Sequence, residues 1–189
     1  RALDRAAAEL AELGLEVKLF AFLDDVYALC DVEHTRTVYD VIARALLEEV
    51  NVNLNGAKTR VWNKVGVQPE GFDDLGVGVW SPDGVKVLGT PVGGEGFVAT
   101  HAAERMQQES ELLDVIPAIP DLQCAWQVLL QCAGPRCNHL VRTVPPSQSL
   151  AYAKAHDEGM WQCAVRLLCD PPGTAEDLAL AKDLASLPM

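Results

Sequence analysis

The sequence predicts an α+β fold, in which strands and helices mix up to about residue 99 and helices alone follow. Before that point, short apolar runs typical of strands alternate with two segments of helical period. After residue 100, apolar residues recur every three or four positions between prolines, which is the pattern of amphipathic helices. We therefore predict two parts, 1–99 and 100–189.

The first 30 residues predict a helix followed by a tight hairpin. Residues 1–13 are rich in alanine, with leucines among charged residues, as in an amphipathic helix. The runs 18–23 and 26–30 are aromatic and aliphatic and predict two strands. Asp24 and Asp25 lie between them and therefore fall in the hairpin turn.

The next segments predict one more helix and a small antiparallel sheet of three to five strands in all. Apolar residues in 34–50 recur at spacings of three and four, which predicts a helix. Beyond it, one strand is predicted at 52–54 that resumes at 59–62, and two more short strands are predicted at 85–88 and 97–99. Four helices complete the chain, at 101–115, 121–133, 147–168 and 174–186.

The composition is that of a globular protein. Of the 189 residues, 49% are hydrophobic and 22% charged, which is enough apolar material for a core. No apolar run approaches the roughly 18 residues of a membrane span, so we expect no membrane association. The six cysteines have no paired spacing and suggest free thiols, so we expect an intracellular protein, nuclear or cytoplasmic.

The net charge of −12 argues, taken alone, against binding to nucleic acid. The charge is unevenly distributed, however. Residues 51–68 hold Lys58, Arg60 and Lys64 and no acidic residue. The sequence therefore permits a local basic face on an acidic protein.

Asp24 and Asp25 are adjacent acids inside the apolar run 19–29. Two neighbouring carboxylates repel one another, and apolar surroundings make their ionisation costlier. A divalent metal with a preference for oxygen ligands compensates such a pair. The simpler alternative is a polar turn, since Asp is common in turns.

Three motifs follow one another along the chain: Phe22-Leu23-Asp24-Asp25, Leu54-Asn55-Gly56-Ala57-Lys58-Thr59 and Leu88-Gly89-Thr90-Pro91. Each motif alone is weak. In this order and spacing they resemble the reverse transcriptase palm of non-LTR retrotransposons. The resemblance covers about residues 17–99. It extends less specifically over 121–168, where the segment from Cys132 to Arg136 and Asp157 resemble a retroelement thumb.

The resemblance implies an RNA-directed DNA polymerase that uses two Mg²⁺ ions, an RNA template, a DNA primer and deoxynucleoside triphosphates. It implies that Asp24 and Asp25 bind metal and that Lys58 lies near the departing pyrophosphate. Phe22 would pack under the primer terminus, and the hairpin with Leu88 and Gly89 would form the primer grip. Two further residues offer charge to the nucleic-acid backbone, although solvated surface charges are an equal alternative for them: Arg136 and Arg142.

The chain departs from the family pattern in two respects. The family usually has Tyr and a small residue where Phe22 and Leu23 stand. It also carries another catalytic aspartate upstream, which no residue of 1–16 matches. Because the chain begins at Arg1 without Met, we expect a fragment whose N-terminal fingers and palm portion belong to the same polyprotein, and we expect the fragment alone to be inactive.

Two alternative functions remain. The chain is a decayed, non-catalytic remnant of a retroelement, or it is a receiver-like phosphoacceptor module. In such a module the acidic pair leads into a loop and a helix rather than a second strand. A faint zinc-like pattern of Cys132, Cys137 and His139 lacks a close cysteine pair, so we expect these residues to belong to a helical core.

Overall fold

The computed structural model describes residues 1–76, 78–168 and 173–185 and confirms a mixed α+β fold with an all-helical C-terminal half. The chain divides into two compact units, Arg1–Val85 and Lys86–Met189. The strands are β1 (Lys18–Phe22), β2 (Asp25–Leu29), β3 (Gly84–Val87) and β4 (Thr90–Gly93). The helices are α1 (Ala2–Glu12), α2 (Thr35–Val50), α3 (Glu95–Val115), α4 (Leu122–Val128), α5 (Asn138–Thr143), α6 (Pro146–Leu168) and α7 (Ala175–Ala185).

The strands form two separate antiparallel hairpins, β1–β2 and β3–β4, rather than the predicted single sheet. Three predicted strand segments are wrong. Residues 52–54 are irregular, and within 59–62 only Val61 forms an isolated parallel bridge, with Trp80. Residues 97–99 belong to α3, because the extended backbone of Gly94 starts that helix and Glu95 places an acidic side chain in its first turn. A short apolar run without a partner strand does not form a sheet.

The core of the N-terminal unit lies between α1 and α2. Its buried residues are small or branched apolar side chains at helical spacing: Ala6, Leu10, Val38, Val41, Ile42 and Ala45. Leu10 is almost completely buried, which contributes about 2 kcal/mol. One face of the β1–β2 hairpin packs on this core through Leu19 and Val26. The hairpin is therefore fixed to the helices by one face only.

Arg36 of α2 anchors the long irregular segment that follows the helix. Its guanidinium pairs with Asp40, at 3.0 Å from Nε, and with Asp74, at 3.0 Å from Nη2, and it donates to the carbonyl of Gly71. The same group lies 5.8 Å from the ring centroid of Tyr39 and 5.7 Å from that of Phe72. One side chain thus connects α2 to a segment that has little regular structure of its own.

The helical unit is built on α3 and α6. Two apolar clusters fill it, one around Leu113, Ile116, Leu129 and Cys163, the other around Val98, Ala102, Leu140, Val144 and Tyr152. The predicted helix 121–133 is α-helical only to Val128 and then continues as a π-helix to Ala133. Pro135 follows closely and lacks the N–H that a regular helix needs. Within the described ranges, no helix combines the length and apolar character needed to cross a bilayer.

Candidate functional site

The turn of the β1–β2 hairpin carries the acidic pair. β1 and β2 pair in a register that joins Phe22 to Asp25, so Leu23 and Asp24 alone form the turn. Leu23 has a φ of 55°, a left-handed conformation that two-residue hairpin turns require and that glycine adopts most easily. The prediction of a tight hairpin at the two aspartates is therefore confirmed.

Both carboxylates are exposed, so the apolar surroundings expected from the sequence are absent around them. Leu23 is 91% exposed and Phe22 is 56% exposed, so these neighbours do not shield the acids from water. Asp25 accepts a hydrogen bond from the hydroxyl of Tyr27, with 3.1 Å between the oxygens. Asp24 lies in the turn itself, and in the part of the chain that the structure describes it forms no hydrogen bond or ion pair.

The open face of this hairpin is aromatic. Side chains alternate across a strand. Phe20 and Phe22 alternate with Leu19 and Ala21 and therefore point away from the core. The register places Phe20 opposite Tyr27 and Phe22 opposite Asp25 on that face. An aromatic surface beside exposed carboxylates is suited to stacking on flat, ring-containing ligands.

Lys58 lies at the end of a 3₁₀ turn, Gly56–Lys58, and its side chain is exposed. The local fold comes from polar contacts: Thr59 bonds through Oγ1 to the carbonyl of Asn55 at 3.1 Å. Among the described residues, no ion pair or hydrogen bond joins Lys58 to Asp24 or Asp25. The structure therefore does not bring the predicted lysine into direct contact with the predicted carboxylates.

The acidic pair fits Mg²⁺ as part of a coordination shell. Magnesium commonly takes one or two carboxylates and completes its octahedron with water and substrate phosphates. Asp24 and Asp25 supply such oxygens at an exposed position that a substrate can reach. Within residues 1–76, 78–168 and 173–185, no group of three or more His, Cys, Asp or Glu side chains forms a complete protein site. A metal there would depend on ligands from outside these residues.

The second predicted site is the turn of the β3–β4 hairpin in the helical unit. Leu88 and Gly89 form it, with φ values of 50° and 81°. His139 of α5 lies against the turn, with its Nε2 at 3.3 Å from Oγ1 of Thr90. A Cβ on Gly89 would lie 3.4 Å from that same nitrogen, so glycine suits both the φ and the close approach.

Of the two predicted arginines, one lies on α5 and the other just before it. Arg142 is on α5, which packs against β4, and Arg136 is in the 3₁₀ turn just before that helix. Both side chains are exposed. Both are therefore accessible to an anionic ligand.

The zinc-like residues have different surroundings, and the expectation of a helical core is wrong for Cys132 and His139, which are exposed. Cys132 is exposed on the π-helix, and the Cys137 thiol donates to the carbonyl of Gly134 at 3.6 Å. Burial raises the pKa of Cys137, which favours the neutral thiol over the metal-binding thiolate. His139 contacts Thr90 instead. These three residues form no metal-binding group in the described part of the chain.

The sequence prediction missed the buried polar residues of the helical unit. Glu109 of α3 is 2% exposed and accepts from Tyr152 and from His156, both on α6. Burial, followed by the interaction with Glu109, raises the pKa of Tyr152. His101 is also buried. In the sequence, only the helical spacing of His101 from Val98 and Ala102, on the apolar side of α3, indicates that His101 is buried.

Comparison of the chain with known protein families, with curated proteins and with solved structures finds no match.

Proposed function

We propose that this chain is the C-terminal palm and thumb portion of an RNA-directed DNA polymerase of the non-LTR retrotransposon type. One observation carries the proposal: Asp24 lies in a tight, exposed turn between two antiparallel strands, and Asp25 is the first residue after that turn. That arrangement presents two carboxylates at the tip of a hairpin, as the resemblance implies. The Lys-Thr and Leu-Gly motifs follow in the implied order, and a helical region comes last.

The same observation disfavours a receiver-like module. In such a module the acidic pair leads into a loop and a helix. Here β2 begins at Asp25 itself, without an intervening loop. The acids therefore belong to a hairpin, which supports the polymerase proposal over this alternative.

The chain's own residues have distinct proposed roles. When bound, divalent ions of this kind lower the pKa of the attacking hydroxyl and neutralise charge on the triphosphate. Asp24, which is unpaired in the described structure, would be the direct ligand. Asp25, held by Tyr27, would be the secondary ligand. Lys58 would contribute a positive charge at the leaving pyrophosphate, and the ring of Phe22 would support the primer terminus.

The helical unit would hold the duplex. The β3–β4 turn, with Leu88 and Gly89, would position the primer strand. Arg136 and Arg142 would contact backbone phosphates, since arginine binds phosphate through paired N–H donors. The chain's charge of −12 opposes such binding, so the basic surface needed for a long duplex would come largely from the rest of the polymerase.

We infer that the chain alone is catalytically inactive. Two-ion chemistry uses a further bridging carboxylate, and no such third ligand joins Asp24 and Asp25 among the described residues. A decayed remnant of a polymerase would have the same carboxylate pair. Activity of the complete protein separates the two possibilities.

The test is primer extension on an RNA template by the complete polymerase with Mg²⁺ and deoxynucleoside triphosphates. Asp24→Asn removes a charged ligand with almost no change of shape and is expected to reduce extension at least about 100-fold, consistent with the loss of several kcal/mol of electrostatic stabilisation. Asp83→Asn, a substitution of another exposed acid in the same unit, is the matched control and should retain activity. Full activity of Asp24→Asn would overturn the proposal for this residue.

A further inference from the structure

A pocket, which we call the Trp80 pocket, opens in the N-terminal unit between Val61 and the irregular segment 68–80. Its volume is about 370 Å³, at the lower end of the range of roughly 300–1,000 Å³ for pockets that bind small molecules. The wall is mainly apolar and includes two aromatic side chains, Phe72 and Trp80. Phe72 is 7% exposed and Val79 is 3% exposed. The pocket therefore has a packed inner wall.

Backbone hydrogen bonds hold the part of the wall that carries Trp80. The N–H of Val61 donates to the carbonyl of Val79 at 2.7 Å, and the N–H of Ser81 donates to the carbonyl of Val61 at 3.0 Å. These bonds flank the isolated bridge that pairs Val61 with Trp80. The position of Trp80 is thus fixed by its own backbone and by that of a segment some 20 residues earlier in the chain.

The second aromatic side chain, Phe72, is held by α2. Its ring makes an edge contact with the ring of Tyr39, with 5.9 Å between the centroids. The guanidinium of Arg36 lies 5.7 Å from the centroid of Phe72 and donates to the carbonyl of Gly71. Because both aromatic walls are held by contacts within the unit, a ligand would find them already in place and lose little affinity to ordering them.

Two acidic side chains at this pocket have no counter-charge. Asp73 lines the Trp80 pocket, and Glu70 lines a more polar cavity that shares three lining residues with it. Arg36 pairs instead with Asp40 and Asp74. Over the described ranges 1–76, 78–168 and 173–185, neither Glu70 nor Asp73 forms an ion pair. The mouth of the pocket therefore carries negative charge that favours a cation.

The pocket combines an aromatic wall with this uncompensated acidic charge. A flat ring gains contact area and excludes water when it packs against Phe72 and Trp80. An ammonium group attached to that ring can pair with the carboxylate of Asp73, and a cation near an indole face gains further attraction. An anion would instead meet Asp73 and Glu70, and a cation without a ring would leave the apolar wall uncovered. The chemistry thus favours a ring and an ammonium group in one molecule.

We propose that the Trp80 pocket binds a small arylalkylamine, that is, one or two aromatic rings joined to an ammonium group by a short alkyl chain. The ring packs against Phe72 and Trp80, and the ammonium group pairs with Asp73. This site goes beyond the proposed function and does not rest on it, because the residues that line the pocket belong to the segment after α2 and include none of the proposed polymerase residues.

The test is an NMR titration of the full chain with tryptamine, without metal or nucleic acid. The indole N–H signal of Trp80 and the amide signals within 70–76 are expected to shift along one saturable curve. A dissociation constant of about 1 mM is expected for a ligand of about a dozen heavy atoms. Trp126 and Trp161, in the helical unit, are internal references whose indole signals should not move.

Two further ligands test the two parts of the chemistry separately. 3-Indolepropionic acid keeps the indole ring but carries a carboxylate, so it should bind at least about tenfold more weakly than tryptamine. Nα-acetyl-lysinamide keeps the ammonium group without a ring and represents a basic side chain of a partner protein. It should also bind at least about tenfold more weakly, because it leaves the aromatic wall uncovered.

A matched pair of variants tests the carboxylate. Asp73→Asn removes the charge at an exposed position with almost no change of shape, and it should weaken tryptamine binding by about three- to fivefold, as expected for an exposed ion pair. Glu16→Gln changes an exposed acid of the same unit that does not line the pocket and should leave the dissociation constant unchanged.

Three results would overturn the site: a Trp80 signal that does not saturate up to about 10 mM tryptamine, equal binding of the three ligands, or an unchanged dissociation constant in Asp73→Asn. If Asp73→Asn does not fold, the comparison of the three ligands on the unmodified chain decides. Because neither metal nor primer is present, failure here is distinguishable from failure of the polymerase proposal.

Discussion

Glu109 and His156 form a buried pair between α3 and α6, with 2.8 Å from Oε2 to Nδ1. Tyr152 donates to the other oxygen of the same carboxylate, so both of its oxygens are bonded. A buried carboxylate with full hydrogen bonding fixes the relative position of two helices, because any shift leaves a polar group unsatisfied. The trio therefore specifies how α3 and α6 pack.

Glu109→Leu is expected to lower the free energy of unfolding of the helical unit by about 3 kcal/mol, because it leaves Tyr152 and His156 buried without their acceptor. Urea denaturation followed by tryptophan fluorescence measures the change. Glu111→Leu, on an exposed position of α3, is the control and should change stability little.

Replacing all three residues should lower the free energy of unfolding less than replacing Glu109 alone. The triple variant Glu109→Leu, Tyr152→Phe, His156→Phe removes all three polar groups, and buried polar networks replaced by apolar groups of similar shape are often nearly neutral. A triple variant as unstable as Glu109→Leu alone would contradict the view that unsatisfied polar groups cause the loss.

The Arg36–Asp74 pair makes the irregular segment after α2 sensitive to acid. The Arg36 guanidinium lowers the pKa of Asp74, chiefly through their hydrogen bonds. The pKa of Asp74 is lower in the folded chain than in the unfolded chain. The pair therefore stabilises the folded segment above about pH 4, and this stabilisation is lost as the pH falls through the folded pKa. We expect proteolysis within 68–76 to accelerate below pH 4, as measured by brief pepsin digestion and mass spectrometry.

Asp74→Asn should remove most of this acid sensitivity. Arg36→Lys tests the geometry, since lysine keeps the charge but cannot bond to Asp40, Asp74 and Gly71 through one planar group. It should therefore increase cleavage already at neutral pH, as measured by brief digestion with thermolysin, which is active there. Unchanged cleavage in Arg36→Lys would show that charge alone, rather than the planar contact, holds the segment.

The elements that sequence predicts well are those with local signals. α2 and β1–β2 follow directly from apolar period and turn chemistry, and the observed turn, at Leu23 and Asp24, lies one residue from the predicted one. The order of the three motifs along the chain can likewise be established from the sequence alone. These features need no knowledge of which distant segments meet.

The failures all involve long-range relationships. The runs 52–54 and 97–99 have the composition of strands, but strand formation needs a partner that the local sequence does not reveal. Glu109 and Tyr152 are 43 residues apart, and each is polar, so nothing local indicates that they are buried together. The apolar surroundings expected for Asp24 are absent for a related reason: neighbours that are apolar in sequence project from the hairpin into solvent.

Leu23 offers a direct test of strain in the acidic hairpin. Its φ of 55° costs leucine about 1–2 kcal/mol, and its side chain is almost wholly exposed, so packing returns little. Leu23→Gly removes this cost at the expense of about 0.5–1 kcal/mol of chain entropy. We expect a net stabilisation of up to about 1 kcal/mol, seen as slower amide exchange in β1 and β2.

Leu23→Val is the matched control for that substitution. A β-branched side chain is still less tolerant of positive φ, so it should destabilise the hairpin. If Leu23→Gly speeds exchange in β1 and β2, then leucine makes a stabilising contact at the turn that outweighs its strain.

Metal binding by the acidic pair can be measured on this chain without any polymerase activity. Mn²⁺ replaces Mg²⁺ at oxygen ligands and broadens NMR signals of nearby nuclei, so titration should broaden the amides of 22–26 before those of other exposed acidic segments. Two carboxylates without a complete protein site predict weak, millimolar binding, which excess Mg²⁺ should reverse. Asp24→Asn should abolish the selective broadening, whereas Asp83→Asn should preserve it. Equal broadening at Asp83 and at the hairpin would mean that Asp24 and Asp25 attract cations only as ordinary surface acids, and the two aspartates would then be a polar turn.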